Sequence, residues 1–290
     1  MEQLGWDKLR VLVTNRCNYR CPFCHNEGQE KECGTETMSL SDFKSFVDML
    51  SGQPLSELNF SGGEPFINKE IVDMIEYACE KLTCDVSCAT NLSLINEEYL
   101  SRLARTRVKF NIQFPYINED KFFKSTGNGK LNKILDNIRL VRTYNIEIGL
   151  NTVVQTKDVQ PYIDMILFAI QEELPLKLLP QIGNDDSCRY KELLYPILRE
   201  YAIEYKDKNS GATRWILKKD NHQTSVLYID SPCFYKDIEQ CRNFSEIRIH
   251  PDFSIQPCIM NDVVDKLELS KGKEYVINQL DHQWKNVKSC

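Results

Sequence analysis

The sequence has no apolar run approaching the roughly 18 residues that a membrane-spanning helix requires. Its opening residues, MEQLGWDKLRVLVT, lack a basic stretch followed by a long apolar one. These absences argue against a helical membrane anchor and a secretory leader, and the chain reads as cytoplasmic, with no membrane partner. Lysine and arginine are nowhere dense enough to track a phosphate backbone. With 36 basic against 42 acidic residues the net charge is -6, which argues against nucleic acid as a partner. There is no internal repeat and no low-complexity tract. What is left is a globular chain of 290 residues, 42% of them hydrophobic, long enough for one large domain with an appendage.

Cysteine, by contrast, is abundant, at twelve residues. In a chain without a secretory signal, clustered cysteines more often bind metal or do redox chemistry than form structural disulfides. Cys17, Cys21 and Cys24 fall in TNRCNYRCPFCHNEG, directly after the apolar run Val11-Leu12-Val13, and Pro22 prevents a regular helix there. Iron-sulfur clusters take thiolate ligands, and a four-iron cluster held by only three of them keeps one iron open to a substrate or cofactor. A zinc knuckle with His25 as fourth ligand, or three unrelated buried thiols, are the alternatives at this point.

Short β-rich runs alternate with amphipathic helical patterns over the first two thirds. The expected strands are Leu9 to Thr14, Glu57 to Ser61, Asp85 to Ala89, Val108 to Gln113, Glu147 to Val154 and Leu176 to Pro180. Helices are expected near 40–50, 68–82, 96–104, 131–144 and 160–172, with Ser41 and Asn68 as N-caps. Six alternations imply a parallel sheet with crossover helices, whose ligands gather at the C-terminal strand ends. After Pro180 the rhythm is lost. Residues 183–232 read as a connecting, partly helical segment, and 233–290 as a small α+β extension carrying Cys233, Cys241, Cys258 and Cys290.

The C-x3-C-x2-C loop after a first strand resembles the signature of the radical S-adenosylmethionine (SAM) superfamily. Ser61-Gly62-Gly63-Glu64-Pro65 after the second strand resembles that superfamily's GGEP motif. The resemblance implies a partial (β/α)6 TIM-like barrel over 1–182. It also implies a 4Fe-4S cluster on Cys17, Cys21 and Cys24, with SAM chelating its open iron. A reductant such as flavodoxin or ferredoxin would drive cleavage of SAM to a 5'-deoxyadenosyl radical that abstracts hydrogen from a substrate. By the same resemblance Gly62, Gly63 and Glu64 would line the methionine amino group and Phe23 would lie against the adenine. Thr90, Asn91, Gln113 and Asn151 would face the ribose or amino-acid part. Read alone, Thr90-Asn91 also fits a strand-end turn and Asn151 an ordinary inward polar residue.

Within the superfamily the chain is most similar to the GTP 3',8-cyclases of molybdenum-cofactor biosynthesis, through LRVLVTNRCNYRCPFCHNEG, FSGGEP, FNIQFPYINEDKFFKSTGNGKLNKILDNI, LNTVV and LKLLPQIG. In that family three C-terminal cysteines hold a second cluster and arginines grip the triphosphate. Here the ending Ile255-Gln256-Pro257-Cys258 and Arg248 fit. The middle cysteine position falls on Phe244, an arginine position on Glu246, a basic position on Asn59, and the terminal glycine pair on Ser289-Cys290. A glutamate facing a triphosphate repels it. The spacing Cys241-x11-Phe253-x4-Cys258 resembles instead the start of the SPASM and Twitch auxiliary-cluster extensions. Cys233 and Cys290 would then complete the ligands of a second 4Fe-4S cluster.

Cys79, Cys84 and Cys88 read as buried small hydrophobes. Cys33 and Cys188 lie in loops with no role assigned, and Arg16 reads equally as a contact for an anion or a surface ion pair. The expected activity is a radical SAM reaction on a small-molecule, nucleotide-like substrate. The chain begins almost at its first strand, without room for the N-terminal recognition domain that peptide maturases often carry, which favours the small molecule; loss of the triphosphate-type positive charges keeps a peptide substrate as the alternative. A non-catalytic zinc-binding interaction module is the alternative of another class.

Overall fold

In the computed structural model, which describes residues 6–24, 37–208, 211–242, 246–260 and 265–286, strand and helix alternate as their residue periodicities require. The chain runs β1 (Lys8–Leu12), α1 (Leu40–Leu50), β2 (Glu57–Ser61), α2 (Ile71–Lys81), β3 (Asp85–Thr90) and α3 (Glu97–Leu103). It continues through β4 (Lys109–Gln113), α4 (Glu119–Thr126), α5 (Leu131–Thr143), β5 (Glu147–Val154), α6 (Gln160–Gln171) and β6 (Leu176–Pro180). The helices cover the outer face with apolar stripes; Ile71, Val72, Met74, Ile75 and Ala78 of α2 are all buried. Two caps differ from expectation. Ser39, not Ser41, caps α1 by accepting from the Asp42 amide, and α2 starts after Glu70, while the Asn68 side chain accepts from the Glu70 amide.

Beyond Pro180 come α7 (Tyr190–Tyr201), β7 (Ala202–Asp207), β8 (Ala212–Lys219) and β9 (His222–Ile229). The segment 183–232 therefore contains more strand than helix. The final fifth holds α8 (Ile238–Arg242), β10 (Glu246–Ile249), β11 (Ser254–Gln256), β12 (Asp265–Lys266) and α9 (Lys273–Lys285). Among the described residues the strands form one sheet of twelve, ordered β12-β11-β10-β1-β2-β3-β4-β5-β6-β9-β8-β7. Strands β10, β1 to β6 and β9 are consecutive and parallel, so one parallel neighbour is added on each side of the expected six. The barrel is partial, as expected: β6 pairs with β9 and β1 with β10, so the sheet does not close on itself.

The sheet is nonetheless strongly curled. Lys177 of β6 interacts electrostatically with Arg10 of β1, Glu57 of β2 and Glu246 of β10, although β6 lies five strands from β1 and six from β10 in the sheet order. Only side chains on a concave face can meet across that separation. That face is polar, whereas the alternate residues, such as Leu9, Val11, Leu58, Phe60, Val86 and Cys88, are buried under the helices. Cys84 is buried as well and Cys79 half-buried, as their apolar positions suggest. No helix among the described residues is long and apolar enough to cross a membrane.

Candidate active site at the C-terminal end of the barrel

The cysteine loop leaves β1 and folds over the barrel mouth. Tyr19, Cys21 and Phe23 pack with Val153 of β5, and Cys17 and Cys24 lie against this group. The loop is therefore fixed at both sides of the opening. The Arg20 amide donates to the Thr126 carbonyl (2.8 Å), and Asn128 Nδ2 to the Asn18 carbonyl (2.7 Å). The Tyr19 amide donates to Cys17 Sγ at 3.4 Å.

Gly62 and Gly63 carry the end of β2 against the root of this loop. The Gly63 amide donates to the Thr14 carbonyl and the Glu64 amide to the Arg16 carbonyl, each at 2.8 Å. A Cβ on Gly62 would lie 2.4 Å from the Thr14 oxygen, and one on Gly63 2.0 Å from the Arg16 oxygen. Neither approach is open to another residue, and Gly62 in addition has φ +133°. The glycines thus lock two strand ends together as well as opening space above them.

Glu64 is 1% exposed and braces β2 against β3. Its Oε1 accepts from the Phe66 amide (3.2 Å) and Thr90 Oγ1 (2.7 Å), and its Oε2 from the Asn91 amide (2.7 Å). Burial pushes its carboxyl up to about 7 despite these donors. Asn91 belongs to a closed polar ring: its Nδ2 donates to Asn18 Oδ1 (2.8 Å), Asn18 Nδ2 donates to Ser93 Oγ (2.7 Å), and Ser93 Oγ donates to Asn91 Oδ1 (2.6 Å). Asn18 and Ser93 hold Asn91 in place, and the motif reading missed them. The signal was available only as polar residues beside recognised ones.

Gln113 and Asn151 stand opposite each other on β4 and β5. Gln113 Nε2 and Asn151 Oδ1 are buried atoms without a hydrogen-bond partner. One donor and one acceptor are thus left open side by side, an arrangement that a ligand with both kinds of group satisfies. Phe23, Gly62, Gly63, Glu64, Thr90, Asn91 and Gln113 lie at the C-terminal strand ends or on the loop above them, and Asn151 lies within β5, beside the end of β4. Arg16 is exposed at the loop's start.

The three thiols sense one another: charge on Cys17 and Cys24 raises Cys21, and charge on Cys24 raises Cys17. Burial, the larger cause, pushes Cys17 up to about 11 and Cys21 up to about 12. Such thiols stay protonated unless a cationic group draws the protons off, as iron does. Among the described residues no three His, Cys, Asp or Glu side chains converge on a single-ion site; a cubane held through separate irons does not need them to. The residues present therefore fit a cluster with SAM. His25, the fourth ligand of the zinc alternative, and Cys33 lie outside the described residues.

In the C-terminal third Cys233 and Cys241 form a thiol–thiol hydrogen bond, which brings Cys233 down to about 6, with Ser231 and the Arg248 charge assisting against burial. Cys258 is buried after β11, and the Met260 amide donates to its sulfur at 3.4 Å. Cys290, Ser289 and Phe244 lie outside the described residues. Cys188 is half-buried in the short 3-10 turn Ser187–Arg189 rather than in a loop.

The chain is similar to GTP 3',8-cyclases. It is 24% identical to that of Ectopseudomonas mendocina (strain ymp), over 88% of its own length and 79% of the relative's. It is 23% identical to that of Clostridium perfringens (strain 13 / Type A), over 87% and 80%. In fold it resembles Streptococcus suis SuiB, solved with its precursor peptide SuiA (TM-score 0.73, 13% identity) and with SAM (TM-score 0.72, 14% identity). Both superpositions cover 97% of this chain and 66% of SuiB, so the chain spans just under two thirds of that protein's length. A profile of the radical SAM superfamily matches residues 11–169, from within β1 through most of α6. With the thiol loop, the glycine clasp and the open polar pair all on that matched span, the chain belongs to the radical SAM superfamily and is an enzyme of that kind.

Proposed function

We propose that this chain reductively cleaves SAM and uses the product to abstract hydrogen from a small, nucleotide-like molecule held inside the barrel. Cys17, Cys21 and Cys24 would hold a 4Fe-4S cluster. Gln113 and Asn151 would meet the ribose or amino-acid part of SAM, and Phe23 its adenine. The reduced cluster with SAM supplies a 5'-deoxyadenosyl radical; the chain's own residues bind, orient and exclude water. The observation that carries this reading is the open donor–acceptor pair directly beneath the three-thiol loop. Glu64, Thr90 and Asn91 support it by fixing the strand ends rather than by offering free groups.

The deciding experiment is anaerobic purification and reconstitution, followed by SAM and a reductant. A brown protein forming 5'-deoxyadenosine, with the product lost in Cys21→Ala, is the expected result. A colourless zinc protein forming none overturns the proposal. Flavodoxin or ferredoxin is the reductant class that fits such an enzyme.

Cys233, Cys241, Cys258 and Cys290 are proposed to hold a second 4Fe-4S cluster of the SPASM or Twitch kind. The contact between Cys233 and Cys241 supports it. Iron per chain should fall from about eight to about four when Cys233, Cys241 and Cys258 are replaced together by alanine. Unchanged iron removes the second cluster. A peptide substrate is the alternative, favoured by the likeness in fold to SuiB, which was solved with its precursor peptide.

A further inference from the structure

The concave face of the barrel carries a charged cluster below the cofactor mouth. Arg10 of β1 donates to both carboxylate oxygens of Glu246 on β10, through Nε and a terminal nitrogen, each at 3.1 Å. Arg248, two residues along β10 and opposite Arg10 in the register, holds the same carboxylate at 2.8 Å. Glu246 is therefore clamped between two guanidinium groups. Lys177 Nζ donates to Asn111 Oδ1 (3.0 Å) and faces Glu57, Arg10, Glu246 and Lys8. Within this cluster four cations, Arg10, Arg248, Lys177 and Lys8, face two carboxylates, Glu246 and Glu57, and Glu246 takes up the space between the two guanidinium groups.

The hydrogen bonds between β2 and β3 fix one further group. Ser87 Oγ donates to Glu57 Oε1 (2.6 Å), so it must accept from Asn59 Nδ2 (2.5 Å). This order leaves Asn59 Oδ1 as the atom turned elsewhere. Asn59 is 6% exposed, and that oxygen is buried with no partner. Register places Asn59 directly beside Arg10. An acceptor buried in this way calls for an N–H or O–H donor from a bound molecule.

From the clamp and this open acceptor we infer that Glu246 is a specificity-determining residue. It is a built-in carboxylate occupying the place between Arg10 and Arg248 that an anionic substrate group would take. The part of the substrate reaching this cluster is then uncharged and carries an N–H or O–H, as in a nucleoside base, a sugar or an amide, and a polyphosphate is excluded. A polyphosphate would have to displace a carboxylate already held by three charge-assisted contacts, or sit beside it against like-charge repulsion. The inference rests on the radical SAM reading of the barrel for the statement that this face receives substrate.

The test is calorimetric titration of the reconstituted holoenzyme with inorganic tripolyphosphate at about 0.15 M salt, for wild type and Glu246→Gln. The substitution keeps the shape of the side chain and removes its charge. Wild type should show no saturation into the millimolar range, and E246Q should bind at least tenfold more tightly. Tight binding by wild type, or equal binding by a folded E246Q, overturns the inference. Should E246Q fail to fold by circular dichroism, the wild-type titration alone decides between the same two outcomes. Tripolyphosphate binding needs no SAM cleavage. A parallel 5'-deoxyadenosine assay on wild type therefore reports separately on the proposed function.

Discussion

A methyl group at position 63 would sit 2.0 Å from the Arg16 carbonyl oxygen, whereas one at position 149 would meet nothing nearer than 3.5 Å. Gly63→Ala must therefore push the end of β2 off the root of the cysteine loop, at a cost of roughly 1–3 kcal/mol. Gly149→Ala should stay within about 0.5 kcal/mol of wild type. Urea unfolding separates the two, and equal costs would contradict the clasp. Glu64 gives a pH signature. Unfolded, its carboxyl ionises at 4.5; buried, at about 7. Between those values unfolding releases a proton, so this group's contribution to stability falls as pH rises through the window. The shift corresponds to about 3 kcal/mol. In the SAM-free protein, the loss of stability between about pH 5 and about pH 8 should be larger in wild type than in Glu64→Gln. Identical slopes would mean that Glu64 is not shielded as described. The glycines and Glu64 were legible as residues because few other types tolerate their positions. Their partners were not, since carbonyls of Thr14 and Arg16 carry no side-chain signal.

At the level of elements, what the sequence showed depended on whether the period was regular. β2, β5 and β6 match their expected bounds because apolar runs end at turn residues. α4 was missed: it has eight residues, and its start and stop are set by Asn118 accepting from the Lys121 amide and by Gly127 at φ +80°. β8 and β9 fall in the stretch read as a connecting, partly helical segment, although from Thr224 to Ile229 β9 alternates buried and half-buried residues after a tight turn with Asp220 at φ +54°. The cysteine loop was legible as a motif but not as a built element, because the side chains that tie it down include Asn18, between two recognised positions, and Asn128 from the far side of the mouth. Asn18→Ala removes the partner of Asn91 Nδ2 and of Ser93 Oγ, a loss of roughly 1–3 kcal/mol confined to the loop. The expected outcome is a small drop in thermal midpoint with a much faster loss of iron under chelator challenge. Wild-type iron retention in N18A would show that the ring does not hold the loop.

For the whole molecule, the question is whether residues 233–290 are an appendage or part of the barrel. β10 pairs in parallel with β1 from Lys8↔Glu246 to Val11↔Ile249, so it completes the sheet beside the strand that carries the cysteine loop. Phe253 packs edge-on against Phe46 of α1 with ring centroids 5.7 Å apart, and α9 buries Val276, Leu280 and Trp284. Ile247, Ile249 and Ile255 are fully buried in the same core as Leu9 and Val11. At about 1.5–3 kcal/mol for each large apolar side chain, removing this group forfeits roughly 10 kcal/mol or more, the scale of a whole domain's net stability. It also leaves β1 an open edge and Arg10 without Glu246. A chain ending at residue 232 should therefore aggregate or fail to melt cooperatively, while the full chain unfolds in one calorimetric transition. A soluble 1–232 fragment with a sharp transition of its own would make residues 233–290 a separable domain, and the charged cluster inside the barrel would then have to be built without Glu246 and Arg248.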